Sequence, residues 1–297
     1  MATTRNGGTI IAARRPRGMG LGRGVAMVIK RPFVSVMKQK NGACVLNRRI
    51  HTVESLQRDL RAAGIVPGDS LLVHSSMKSL GNVEGRALSV IQALKNAVTE
   101  NGLLIFPTFS YIYVTEEHPD FDVVNTPACT GILPELFRQV DGVMRSLHPF
   151  HSLAVWGKDA ETFISGHERF DTAFNRQSPW GRMLERKAKT LLIGVGLTTA
   201  TFLHAVEEWS DVPVLSKEPV IRYIIDRNGN RMLRTVRWHT GAHSENFFRA
   251  EQMLMDYGAL ERCRIGDADC MVLDCCKTLD CMEPVLRQNP GFFSHDK

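Results

Sequence analysis

Ser70-Leu71-Leu72-Val73-His74-Ser75 is a short apolar run that follows the turn Pro67-Gly68-Asp69 and empties into a polar, glycine-bearing loop, Ser76–Gly85. A run this short and this continuous reads as a strand buried on both faces. Working outward, Thr52-Val53-Glu54-Ser55 is a helix start with Thr52 as N-cap. Val53, Leu56, Leu60 and Ala63 recur at helical spacing until Gly64 ends the run. Ala87–Val98 has helical apolar spacing, and Gly102–Pro107 is a second buried strand closed by proline. Helix, strand, loop, helix, strand over residues 52–107 imply an α/β chain. Its sheet is mixed, mostly buried and flanked by helices, at least partly parallel.

Further along, residues 108–130 are aromatic, acidic and irregular, and Gly131–Val140 reads as a helix. Ser152–Trp156 is a short strand, and Thr190–Gly196 is a third buried strand leading to a helix over Thr198–Trp209. Val220–Ile225 and Met232–Trp238 flank Asp226-Arg227-Asn228-Gly229-Asn230, a β-hairpin insertion with an Asn-Gly turn. Helices are expected at Asn246–Tyr257 and Thr278–Asn289, and there is no internal repeat.

The 297 residues carry a formal net charge of +6, but the charge is unevenly placed. Residues 1–50 hold eleven Lys and Arg and no acid, a net of +11, which leaves 26 basic against 31 acidic residues in the rest, a net of −5. Residues 1–50 therefore read as a basic, flexible, non-catalytic extension, and 51–297 as the functional domain. A nucleic-acid reading would rest on that arm alone. An acidic body instead suits a cationic amine. No apolar run reaches the roughly 18 residues of a membrane span. The seven cysteines form no Cys-x-x-Cys pair, so neither a zinc site nor a disulfide framework is indicated, and the compartment reads as reducing and cytoplasmic.

Three motifs carry chemistry. His74-Ser75-Ser76-Met77-Lys78-Ser79-Leu80-Gly81 joins a strand to a loop of hydroxyls and glycine, whose backbone N–H groups suit phosphate oxygens. It matches neither the Walker A nor the Gly-x-Gly-x-x-Gly fingerprint. Arg145-Ser146-Leu147-His148-Pro149-Phe150-His151-Ser152 gathers an arginine, two histidines and two hydroxyls. On the helix around Thr201-Phe202-Leu203-His204, Glu207 is three and Glu208 four residues beyond His204, and either carboxylate can orient the imidazole. Taken singly, these read equally as a structural turn, a surface loop and a helical histidine beside a solvated glutamate.

Taken together, in order, they resemble the aminoglycoside 3-N-acetyltransferase family over roughly residues 52–292. The resemblance is carried by His74-Ser75-Ser76-x-x-Ser79-Leu80-Gly81, Pro107-Thr108-Phe109 and Gly131-x-Leu133-x-Glu135-x-Phe137-Arg138. It continues through Arg145-Ser146-x-His148-Pro149-x-x-Ser152-x-Ala154-x-x-Gly157, Ser178-Pro179-x-Gly181 and Leu192-x-Gly194-Val195-Gly196. Thr201-Phe202-Leu203-His204-x-x-Glu207 and Ser244-x-Asn246-Phe247 complete it. The loop Asn82-Val83-Glu84-Gly85-Arg86 departs from the family's usual glycine pair, and His239 and His243 add imidazoles near the hairpin.

The resemblance implies the family's α/β fold and an acetyl-CoA-dependent acetyltransferase acting on the 3-amino group of a 2-deoxystreptamine antibiotic, or on another small-molecule amine. By the same resemblance Ser75, Ser76, Met77, Lys78, Ser79, Leu80 and Gly81 cradle acetyl-CoA, with Arg145, Ser146, His148 and Ser152 shaping its tunnel. His204 is the general base, Glu207 orients it, and Glu116, Glu117, Asp120 and Asp122 lie toward the amine. No metal, nucleic acid or membrane is expected to take part, and the chain is expected to act as a monomer or homodimer. Physically, a protonated amine must lose a proton before it attacks a thioester, and an imidazole titrating near neutrality suits that task. A covalent acetyl-enzyme on Cys129 is the disfavoured alternative, since no base is paired with it in the sequence.

Overall fold

A computed structural model describes residues 49–240 and 243–294. The basic extension expected over 1–50 lies outside the described residues except at its last two positions. In chain order the strands are β1 (Ile50–His51), β2 (Ser70–Ser75), β3 (Asn82–Val83), β4 (Leu103–Pro107), β5 (Asp120–Asp122), β6 (Met144–Arg145), β7 (Leu153–Trp156), β8 (Lys189–Ile193), β9 (Val220–Ile225), β10 (Arg231–Val236), β11 (Leu260–Ile265) and β12 (Ala268–Asp274). The helices are α1 (Val53–Ala62), α2 (Arg86–Val98), α3 (Ile132–Phe137), α4 (Ala160–Ile164), α5 (Pro179–Glu185), α6 (Phe202–Trp209), α7 (Glu251–Asp256) and α8 (Cys275–Gln288). Among the described residues, no helix is long and apolar enough to cross a membrane.

Seven strands form the central sheet in the order β11-β12-β8-β2-β4-β7-β6. β8, β2 and β4 run parallel, and the strands outside them are antiparallel. Side chains alternate across a strand, so each apolar run feeds two cores. Leu71 and Val73 pack with Leu56 of α1, Ile91 of α2 and Phe137 of α3. Leu72 packs on the other face with Phe163 of α4, Trp180 of α5, Leu203 of α6 and Met282 of α8. Each fully buried large apolar side chain contributes roughly 1.5–3 kcal/mol to this arrangement. The alternation also sends His74 to the α6 face.

Local chemistry sets the element ends. Thr52 caps α1 by accepting from Ser55 N while Ser55 Oγ accepts from Thr52 N, a full capping box. Asp226 Oδ1 accepts from the backbone N–H groups of Asn228 and Asn230 and so closes the β9–β10 hairpin.

Three expectations need correction, and two strands, β11 and β12, were not expected. β5 emerges from the stretch read as irregular and pairs parallel with β9, making a three-stranded sheet β10-β9-β5. Its three residues are too few to show a period. The helix expected over Asn246–Tyr257 is a 3-10 turn, Ser244–Ala250, followed by α7. The apolar stretch holding Cys270 is strand β12, and the last helix starts at Cys275, with Asp274 accepting from Lys277 N, rather than at Thr278. β11, its edge partner, exposes Glu261, Arg262 and Arg264, the kind of charges by which edge strands avoid further pairing. Cys129, Cys263, Cys270, Cys275, Cys276 and Cys281 are free thiols.

Candidate active site

In an open α/β sheet the ligand crevice forms where parallel strands end. Here β2 ends at Ser75, β8 at Ile193 and β4 at Pro107, and a cleft of about 310 Å³ opens over those ends. His74, Ser75, Pro107, Phe109, Thr199 and His204 are among its lining residues. Ser75 Oγ and His74 Nε2 are buried there and have no hydrogen-bond partner in the protein. Unpartnered buried polar atoms are costly, and two of them facing one cleft are suited to a polar ligand.

The loop after β2 is held against the strand beside it. Ser76 N donates to Ile193 O, Ser79 Oγ bonds Ser76 Oγ at 3.0 Å, and it donates to Gly194 O at 3.2 Å. Gly194 takes φ +62°, and a Cβ there would lie 2.2 Å from the Ser79 Cβ, so only glycine admits this approach. Lys78 is exposed, Met77 half-buried, and Leu80 fully buried in the apolar core with α1 and α2. The side chain of Leu80 therefore belongs to the scaffold of the loop, not to the cleft. Gly81 (φ +81°) backs onto Asp267, whose carboxylate a Cβ would meet at 2.1 Å.

The four residues expected around the cofactor tunnel are buried. Arg145 Nε donates to Ser152 Oγ at 3.0 Å and Nη2 to Thr108 O at 2.7 Å. Burial brings its guanidinium down to about 9. Ser146 Oγ accepts from Leu153 N and bonds His167 Nδ1 at 2.9 Å. His148 Nδ1 accepts from Phe150 N and His151 N. None of the four lines the cleft containing His204. Arg145 and Ser146 instead border a separate cleft with Arg227 and Asn228. The residue of this segment that does reach His204's cleft is His151, quoted in the motif but given no role.

His204 sits on α6 with Nδ1 2.8 Å from Glu207 Oε2, and Glu207 is only 2% exposed. The choice between the two carboxylates is thereby made: Glu208 turns away to accept from Thr172 Oγ1 at 2.6 Å and to bond His239 Nε2 at 3.2 Å. Burial pushes the Glu208 carboxyl up to about 7, against the lowering effect of the Thr172 hydroxyl. The His239 ring stands edge-on to His204, centroids 5.1 Å apart. Phe247 packs on the other side at 4.8 Å. Burial, aided by the neighbouring His204, holds His74 at about 3 and His239 well below the usual imidazole range. His151 is also held well down by burial and by His239 and His204.

A second cleft, of about 370 Å³, is lined by Tyr111, Phe150, His151, Phe174, His204, Trp238, His239 and Ser244. It shares Tyr111, His151, His204 and Ser244 with the first. His204 is thus where two clefts meet. The acidic segment is not there. Asp120 pairs with Arg231 at 2.8 Å, Asp122 accepts from Val124 N and Asn125 N, and Glu117 accepts from Thr115 Oγ1. Glu116 lines a third, larger cleft with Arg222, which adjoins the second through Tyr111 and Trp238. Burial raises the Cys129 thiol above its ordinary range, which weakens it as a nucleophile. His74, His151 and His239 were missed as cavity residues. The first two lie in quoted motifs, while only long-range folding brings His239 to His204.

A family model described as Aminoglycoside 3-N-acetyltransferase matches residues 72–287. The chain is 33% identical over 176 residues to the SPbeta prophage-derived aminoglycoside N(3')-acetyltransferase-like protein YokD of Bacillus subtilis, covering 52% of this chain and 64% of that protein. It is 29% identical over 241 residues to aminoglycoside N(3)-acetyltransferase III of Pseudomonas aeruginosa, covering 74% of this chain and 87% of that protein. Among solved structures, a mutant of the aminoglycoside acetyltransferase AAC(3)-IVa in complex with gentamicin is similar with a TM-score of 0.73 and 26% identity, over 84% of this chain and 94% of that one.

Proposed function

The chain belongs to the aminoglycoside 3-N-acetyltransferase family, and on that premise we propose that it transfers the acetyl group of acetyl-CoA to the 3-amino group of a 2-deoxystreptamine aminoglycoside and so confers resistance. The observation that carries this reading is the position of His204 at the junction of two clefts, backed by the buried carboxylate of Glu207. In this reading the cleft bordered by Ser75 receives acetyl-CoA, with the Ser76–Gly81 loop held beside it. The unpartnered Ser75 Oγ fits a polar group of that donor. The acceptor amine enters from the aromatic side.

His204 takes the proton of the ammonium, and the ion pair with Glu207 stabilises the imidazolium that results. The freed amine attacks the thioester carbon in a ternary complex, the tetrahedral intermediate collapses, and CoA leaves as the thiolate, which takes up the second proton lost by the nitrogen. Proximity supplies much of the acceleration, so no covalent acetyl-enzyme is needed. Residues 51–297 carry the reaction, 1–50 are a non-catalytic extension, and the reaction belongs to the cytoplasm, where acetyl-CoA is available. Measuring CoA-thiol release across a panel of 2-deoxystreptamine antibiotics, with NMR assignment of the acetylated position, tests this. Release with the 3-N-acetyl product supports it, and no release with any amine sinks it.

A second reading has its own observation. Seven of the eight residues lining the second cleft carry rings and none carries a carboxylate. A polycation gains little from such a wall, whereas an amine with an apolar or aromatic body gains burial and cation–π contact. Thiol release with aromatic amines but not with aminoglycosides would select this family member as an acetyltransferase of non-antibiotic amines.

A further inference from the structure

We propose that His204, Glu207 and His239 form a binding site for a divalent transition metal, of which Zn²⁺ is the type, and that its occupation switches off acetyl transfer. One ring nitrogen from each histidine and one carboxylate oxygen of Glu207 lie within 4.8 Å of one another. Two imidazoles and a glutamate are a donor set that zinc takes in four-coordinate sites, with the remaining position left to water. Tetrahedral bonds of about 2 Å put donors roughly 3.4 Å apart, so closing the site asks for a side-chain movement of about 1 Å. The second cleft is lined by both histidines and gives an ion and its water a way in.

The surroundings of His239 are what set this cluster apart from a chance meeting of polar groups. Its Nε2 is 3.2 Å from Glu208 Oε2, which also accepts from Thr172 Oγ1, while Nδ1 is buried without a partner in the protein. An imidazole held on one nitrogen by a carboxylate, with the other unengaged, is the arrangement in which metal-ligating histidines are supported. Glu207 and Glu208, adjacent in sequence, thus serve two different imidazoles whose centroids are 5.1 Å apart. The two imidazole nitrogens favour zinc, copper and nickel over magnesium and calcium.

The switch follows from the chemistry of the proposed base, and that half of the inference rests on the function proposed above. Binding places the metal where His204 Nδ1 now bonds Glu207 Oε2, and the neutral imidazole that ligates it through one ring nitrogen carries its proton on the other. No oxidation or reduction is involved. With the carboxylate and an imidazole lone pair engaged by the metal, His204 has nothing with which to accept the proton of the acceptor ammonium, and transfer stops.

The test has two readouts. Full-length protein stripped with EDTA, loaded with ZnCl₂ and desalted is assayed for zinc per chain, alongside His239→Phe and His239→Asn variants whose melting curves match the parent. The parent should retain about one zinc more than either variant. The free thiols contribute equally to all three, so only the difference counts. In the CoA-release assay, the zinc concentration giving half-inhibition should rise by roughly tenfold or more in the variants, and Mg²⁺ should have no effect. Equal zinc in parent and variants overturns the site, whether or not the protein acetylates any amine tested. Extra zinc in the parent with undiminished acetyl transfer overturns the switch.

Discussion

His204 Nδ1 and Glu207 Oε2 are 2.8 Å apart across one turn of α6, the imidazole 17% exposed and the carboxylate 2%. The buried carboxylate thus lies in hydrogen-bond reach of the ring proposed to carry the proton. Glu207→Gln keeps the shape but removes the charge that stabilises the imidazolium. We expect kcat to fall roughly 10–10³-fold, with the KM for acetyl-CoA unchanged, when CoA release is followed under steady-state conditions.

Five imidazoles, His74, His148, His151, His167 and His239, are held below their ordinary range chiefly by burial, His74 and His167 at about 3. In the unfolded chain they bind protons below about 6.5. Acidification therefore favours unfolding from that pH downward, by up to ~1.4 kcal/mol per pH unit for each ring. Urea unfolding measured from pH 7.5 to 4.5 should show stability dropping steeply below pH 6.5. A flat profile to pH 5 would contradict the neutral, buried state of these rings.

Glu208 works in the opposite direction. Its carboxyl is raised by burial from the ordinary 4.5 to about 7, so the folded state holds a proton that the unfolded state has already released. Stability is lost as pH climbs between these values, by up to ~3 kcal/mol above pH 7. Glu208→Gln removes that loss. The variant should melt higher than the parent at pH 8, and the gain should vanish at pH 4.5.

Gly194 and Gly196 separate backbone need from mere sequence pattern. At Gly194 a Cβ would meet the Ser79 Cβ at 2.2 Å with φ +62°, whereas at Gly196 (φ −94°) nothing lies within 4 Å. Gly194→Ala should cost ~1–3 kcal/mol and displace the loop proposed to hold acetyl-CoA, raising its KM roughly tenfold. Gly196→Ala should leave both the melting curve and that KM near the parent's.

Much of the fold was legible because β2, β4 and β8 are buried on both faces and so appear as unbroken apolar runs. β11 was not, because exposed charges such as Glu261 and Arg264 break up its apolar pattern. β12 was obscured because its apolar run, with Cys270 packing as a small apolar residue, is only four residues long between Asp269 and Asp274. In the site, the three-residue spacing of His204 and Glu207 was readable on one helix. That Glu208 serves His239 instead was not, since those residues meet only through the return of the chain after β10. Arg145, Ser146, His148 and Ser152 show a different limit. Polar residues in a motif look alike whether they line the cleft of His204 or, as here, satisfy buried backbone and side-chain groups elsewhere.

The measurement that bears most directly on the central claim is CoA-thiol release by the parent and by His204→Ala, run side by side with acetyl-CoA and the best amine of the panel. With His204 as the base, kcat should fall by roughly 10²–10⁴-fold, while acetyl-CoA binding measured by calorimetry stays within about threefold of the parent. A kcat within about threefold of the parent would remove His204 from the chemistry and contradict the proposed mechanism.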